Sequence, residues 1–89
     1  MKLNNNFLLR EIAGCFVVVP VGEAATRFNG MFTINDTGVL LWKSLEEDIS
    51  IPQLTDIIAN EYDIDIQTAE NDVNDFINKL IEINAISKN

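Results

Sequence analysis

The sequence predicts an α+β domain: a small three-stranded antiparallel sheet followed by three helices. Three observations carry this. Residues 7–34 hold short β-branched and aromatic runs cut by turn residues, and residues 35–86 repeat their apolar positions every three or four. The connections are also too short for βαβ crossovers, which leaves a sheet packed against a helical bundle, winged-helix-like in outline. At 89 residues the chain reads as one domain over 1–89, with 1–6 and 87–89 expected to fray. So small a domain buries only about 60–65% of the surface its unfolded chain exposes, so nearly every large apolar residue is needed inside. An apolar fraction of 47% can supply that core.

Each element has its own signal. Phe7 to Ile12 is apolar with charges interleaved, Ala13-Gly14 is a turn, and Cys15 to Val19 is a β-branched run closed by Pro20. Proline has no amide hydrogen to donate, so it belongs at a strand end or edge. Asn29-Gly30, between Thr26-Arg27-Phe28 and Met31-Phe32-Thr33-Ile34, predicts a type I′ hairpin, whose two central residues need positive φ. Asn35 or Asp36 caps a first helix through roughly Glu47, with Leu41, Trp42 and Leu45 inward. Ser50 and Gln53 form a capping box, with Pro52 in the first turn and Leu54, Ile57, Ile58 and Tyr62 as the stripe. Asp65 caps the longest helix, about Ile66 to Ile83, whose apolar set is Ile66, Ala69, Val73, Phe76, Ile77, Leu80, Ile81 and Ile83. Asn84, comfortable in the left-handed region, ends it.

Charge narrows the partners. Net charge is −8, divided as +1 over residues 1–34 and −9 over residues 35–89. Phosphate backbones are captured by Lys and Arg, so the acidic half argues against nucleic acid. No apolar run approaches the ~20 residues of a membrane span. Ile12-Ala13-Gly14-Cys15 matches a lipoprotein cleavage site, but Asn4-Asn5-Asn6 and Arg10-Glu11 interrupt the apolar stretch that should precede it. Cys15 is then an ordinary strand residue. A single cysteine allows no internal disulfide and fits a reducing, cytoplasmic setting.

The usual chemical groups are sparse. The chain has no histidine, its four glycines are scattered, and Cys15 has neither an activating base nor a second thiol with which to share a metal. Asp36-Thr37-Gly38 is the tripeptide of aspartic proteases, which need an almost entirely β fold and a proton shared across a dimer axis. Everything after Gly38 reads as helix, so Asn35 and Asp36 are assigned to helix capping. Asn35-Asp36-Thr37 is also a glycosylation sequon, irrelevant in a cytoplasmic protein. Asp63 and Asp65 begin like a calcium loop, but the required glycine and remaining ligands do not follow. Glu70, Asp72, Asp75 and Glu82 lie off the apolar stripe on a solvated face. No catalytic residue, metal or cofactor is expected.

From Met31 to Ile86 the pattern resembles the PqqD family. The carrying features are Ile34-Asn35, then Thr37-Gly38 opening a helix with Leu41-Trp42, then an alcohol-led helix from Ser50 to Tyr62. An Asp-capped helix follows with Ala69-Glu70, Asp72-Val73, Phe76 and Leu80. The close, Ile83-Asn84-Ala85-Ile86, matches the family's hydrophobic-Gly-hydrophobic ending with Asn84 in the glycine's place. The strands from Phe7 to Val21 fit as well. This resemblance implies a recognition element that holds the leader of a ribosomally made peptide as an added strand on the third strand, beside the third helix. It also implies delivery of that leader to a modifying enzyme, often a radical-SAM protein.

Physically, an exposed edge over Met31, Phe32, Thr33 and Ile34 would pair with such a strand by β-augmentation. Asp72, Asp75, Phe76 and Lys79 would form the groove wall, with Asp72 and Lys79 setting register and Phe76 either gripping an apolar leader residue or, equally in keeping with its place on the stripe, packing in the core. An acidic wall favours a leader with basic residues. The unfilled edge is also able to pair with a second copy of the chain. Two other readings use the same elements: a winged-helix DNA-binding domain, disfavoured by four acids against one lysine on the longest helix, and an assembly subunit of a larger enzyme.

Overall fold

The computed structural model describes residues 1–27 and 31–86. Strands β1 (Phe7–Ile12), β2 (Cys15–Pro20) and β3 (Phe32–Ile34) form an antiparallel sheet in the order β1-β2-β3. Helices α2 (Asp36–Ser44), α3 (Ile51–Tyr62) and α4 (Ile66–Glu82) follow, and α3 and α4 pack as the main helix pair. This is the predicted α+β fold. One short helix was not anticipated: α1 (Ala24–Arg27), between β2 and β3.

The α1 turn replaces the strand expected at Thr26-Arg27. Gly22 at φ +60° turns the chain, and Ala25 and Thr26 donate their backbone N–H groups to the Gly22 and Glu23 carbonyls. Helix-favouring alanines then place Ala24 in the core. The expected Asn29-Gly30 turn lies outside the described residues. The hairpin that is described belongs to Ala13-Gly14, at φ +53° and +81°, with Ile12 opposite Cys15. Positive φ at both loop residues matches the right-handed twist of the strands they join.

This two-residue loop fixes which backbone groups face outward. The residues flanking it form a hydrogen-bonded pair, and bonded pairs alternate along the ladder: Ile12–Cys15, Arg10–Val17 and Leu8–Val19. The Val21 N–H donating to the Asn6 carbonyl at 2.9 Å continues the same phase. Phe16 and Val18 therefore bond toward Ile34 and Phe32 on β3. Thr33 is left with its N–H and C=O pointing off the sheet, and Leu9 and Glu11 likewise on β1.

Phe7, Leu9, Val18, Phe32 and Ile34 share the face that meets the helices. Val17 lies on the other face between its cross-strand neighbours Arg10 and Thr33. Leu41, Trp42 and Leu45 from the α2 region complete the core with Leu54, Ile58, Val73, Ile77 and Leu80. α2 ends sooner than expected, at Ser44. Glu46, Glu47 and Asp48 would stack negative charge at its negative pole, and looser turns take over there. Tyr62 and Ile66, expected on apolar stripes, are exposed, and the buried face of α3 is Leu54, Thr55, Ile58 and Ala59.

The caps follow the sequence closely. Asn35 accepts from the Gly38 N–H, and Ser50 and Gln53 form the reciprocal box. Asn84 at φ +62° ends α4 in a Schellman motif, with Ala85 N–H to the Leu80 carbonyl and Asn84 N–H to the Ile81 carbonyl. Residues 1–6, expected to fray, are instead held by backbone bonds. Leu3 N–H reaches the Leu45 carbonyl, Asn4 N–H the Ala85 carbonyl, and Leu3 bridges Ile86. Tucking the chain back at Asn84 makes the Ala85 and Ile86 partners available.

Candidate functional site

The free edge of β3 opens onto a cleft of about 350 Å³. On one side lie Thr33 and Ile34 of β3. On the other lies α4, presenting Asp72, Asp75, Phe76 and Lys79. Those four residues sit at i, i+3, i+4 and i+7, so a single helix face carries them all. The N-terminal end of α2 closes the base through Asn35, Thr37, Gly38 and Leu41. Six of the eight residues proposed from sequence thus line one cleft. Phe32 is half-buried at its border, with the Lys79 ammonium 4.6 Å from its ring centroid, a cation–π contact joining β3 to α4. Met31 precedes β3 and is 56% exposed.

The base of the cleft contains residues the sequence reading assigned to other roles. Gly38 is buried, and a Cβ there would stand 3.1 Å from the Ile34 Cβ and 3.3 Å from the Phe76 ring. Its missing side chain lets a strand, a helix start and an aromatic ring converge. The sequence signal was a glycine in the first turn of a helix, where it is mildly unfavourable and so needs a packing reason. Phe76 is half-buried: its ring packs beside the core and still borders the cleft.

Electrostatically the wall is acidic. Asp72 and Asp75 are exposed, and neither is in an ion pair; the one ion pair among the described residues joins the Met1 ammonium to Asp48 at 2.8 Å. Asp36, the aspartate of the protease-like tripeptide, occupies the first position of α2 beside its Asn35 cap. Asp63 and Asp65, the calcium-like pair, are a left-handed cap of α3 and the N-cap of α4. Among the described residues no group of three or more His, Cys, Asp or Glu is placed to hold a metal ion. No helix among them is long and apolar enough to cross a membrane.

Comparison with known proteins places this geometry. The family model for coenzyme PQQ synthesis protein D (PqqD) matches residues 15–86, about four-fifths of the chain. The chain belongs to the PqqD family. A search of curated proteins found no match. Among solved structures, TbiB1 in complex with the TbiA(beta) leader peptide is similar, with a TM-score of 0.78 and 24% identity. That alignment covers all of this chain and 98% of TbiB1, and it establishes a common fold. The family resemblance carried by Ile34-Asn35, Thr37-Gly38, Leu41-Trp42 and the Asp65-capped helix is thereby met. In this PqqD-family chain, those residues surround the β3 cleft or hold its walls in place.

Proposed function

We propose that this PqqD-family chain captures the leader of a ribosomally synthesised precursor peptide by strand addition to β3. It then presents the leader to a peptide-modifying enzyme, of the radical-SAM class, in the cytoplasm. The observation that carries this reading is the open cleft between the outward-facing backbone of Thr33 and the Asp72–Lys79 face of α4. An extended peptide there would satisfy the Thr33 N–H and C=O, while alternate side chains enter the cleft. The Phe76 ring and Leu41 offer apolar contact, and Asp72 and Asp75 offer charge to basic leader residues. In this reading the chain's own contribution is binding and orientation, and the covalent chemistry belongs to the enzyme. Membership in the PqqD family supports the reading, and TbiB1 is a protein of the same fold recorded with a leader peptide.

The test is a titration of the ¹⁵N-labelled chain with synthetic leaders of precursor peptides encoded beside its gene. Saturable shifts at Met31–Ile34 and Asp72–Lys79 are expected at about micromolar peptide, the range of roughly −8 kcal/mol. A spectrum unchanged by every such leader would remove the function and leave the fold standing. A DNA-binding reading gains nothing from the structure, because α4 exposes Glu70, Asp72, Asp75 and Glu82 against Lys79.

A further inference from the structure

The wall of the β3 cleft is electrically polar along its length, and two contacts fix the direction. The Lys79 ammonium, 4.6 Å from the Phe32 ring centroid, stands at the start of β3. Phe76 stands at its end, because a Cβ at Gly38 would be 3.1 Å from the Ile34 Cβ and 3.3 Å from the Phe76 ring. α4 therefore runs antiparallel to β3, with Asp75 level with Phe76 and Asp72 one turn further, beyond Ile34. Asp75 and Lys79 have the i, i+4 spacing at which acid and base commonly pair on a helix. Here they stay apart: the one ion pair among the described residues is Met1 with Asp48, and Lys79 lies over Phe32 instead. The cleft so keeps a positive end and a negative end, both exposed.

We propose that this separation makes the cleft select leaders by the order of their charges, a selectivity that rests on the leader reading and refines it. An antiparallel guest places one residue opposite Thr33, where the two exchange both backbone bonds. Opposite residues share a face of the sheet, so that guest side chain points with Thr33 away from the helices. Its two neighbours, opposite Ile34 and Phe32, turn into the cleft. Running against β3, the guest meets Asp72 first, then Ile34 with Phe76, then Phe32 with Lys79. Its cleft-facing positions, two residues apart, therefore take a basic, an apolar and an acidic side chain, in that order from the N-terminus. The lengths agree. Asp72 to Lys79 spans about 10.5 Å of helix axis, and four strand residues span about 13 Å, a difference that Lys and Glu side chains absorb. The same residues in reverse order bring like charges together at both ends. A parallel guest would reverse the rule, but parallel pairing is the less stable per residue.

The experiment uses two synthetic peptides of one composition with blocked ends. One carries Lys, Leu and Glu at alternate positions from its N-terminus, with Thr between and outside them, and the other carries Glu, Leu and Lys. Each is titrated into the ¹⁵N-labelled chain at low salt. The Lys-first peptide should shift Thr33 and Asp72–Lys79 and bind about tenfold more tightly than the Glu-first one, a margin that shrinks as salt rises. Lys79→Gln should cut the margin to about threefold, since only the acidic end still discriminates. Asp72→Lys, Asp75→Lys and Lys79→Glu together should invert the preference, with well-dispersed spectra reporting intact folds. Equal affinities in the parent chain, tighter binding of the Glu-first peptide, an uninverted preference in the reversed wall, or no shift from either peptide would overturn the proposal. Titration with the precursor leaders separates the two readings. A leader that saturates Thr33 while the peptides fail to discriminate leaves leader capture standing, and leaders that are silent as well remove both.

Discussion

Gly38 shows how one missing side chain shapes a site. Its Cα lies where Ile34, the Asn35 cap and the Phe76 ring converge, and a methyl group there is crowded from both sides. Two effects of Gly38→Ala oppose each other in stability. Helix propensity gains about 1 kcal/mol, and overpacking costs roughly 1–3 kcal/mol. The ring borders open space, so it can yield by swinging into the cleft. Urea denaturation should therefore change by no more than about 1 kcal/mol, while calorimetry should show leader affinity falling about tenfold, a loss of roughly 1.4 kcal/mol. Unaltered affinity would mean that Phe76 does not grip the peptide. At this scale the sequence revealed conformations better than contacts. Asn84 was legible as a left-handed helix end because few residues tolerate that region, and the structure places it at φ +62°. Convergence on Gly38 was not legible, because it depends on a residue 38 positions away in α4.

Among the elements, α4 is the one the sequence described most completely. Ala69, Val73, Ile77 and Leu80 are its buried stripe, and the cleft residues ride its flank. Tyr62 and Ile66 were misplaced, because helical spacing alone does not set the width of a buried face. α1 was hidden because its four residues are too short for a period to show. The start of α4 depends on a titratable cap. The Thr68 backbone N–H donates to Asp65 at 2.7 Å, and chiefly for this reason the carboxyl is held below the ordinary aspartate range. A folded-state value lower than the unfolded one means that the cap stabilises fully above about pH 4. That contribution is lost as pH falls through the lower folded value. Asn accepts the same bond without titrating, so Asp65→Asn should flatten the acid limb of a melting-temperature profile below about pH 4. An acid limb identical to that of the parent chain would show that Asp65 is no more ionised in the fold than out of it.

Across the whole molecule, charge is unevenly divided between the two edges of the sheet, and each edge carries both signs. Asp72 and Asp75 stand over β3, and Lys2, Arg10 and Lys43 stand around β1. The sequence showed a mildly positive first third and an acidic remainder, but only folding brings Lys43, from that remainder, beside β1. Reversing the β3 wall with Asp72→Lys plus Asp75→Lys should weaken a basic leader by about ten- to a hundredfold at low salt, and by less as screening shortens the reach of each charge. Binding that ignores both the reversal and the salt would leave apolar contact as the whole of recognition. The brevity of β3 sets a further limit. Three residues leave one, Thr33, with both backbone groups free for a guest, and each such bond nets only about 1 kcal/mol. Micromolar capture requires about 8 kcal/mol, so most of it must come from what the guest carries rather than from its backbone. A long edge would accept any strand, as a zipper does. An edge this short behaves as a lock with few tumblers, which leaves the choice of guest to the side chains of the cleft.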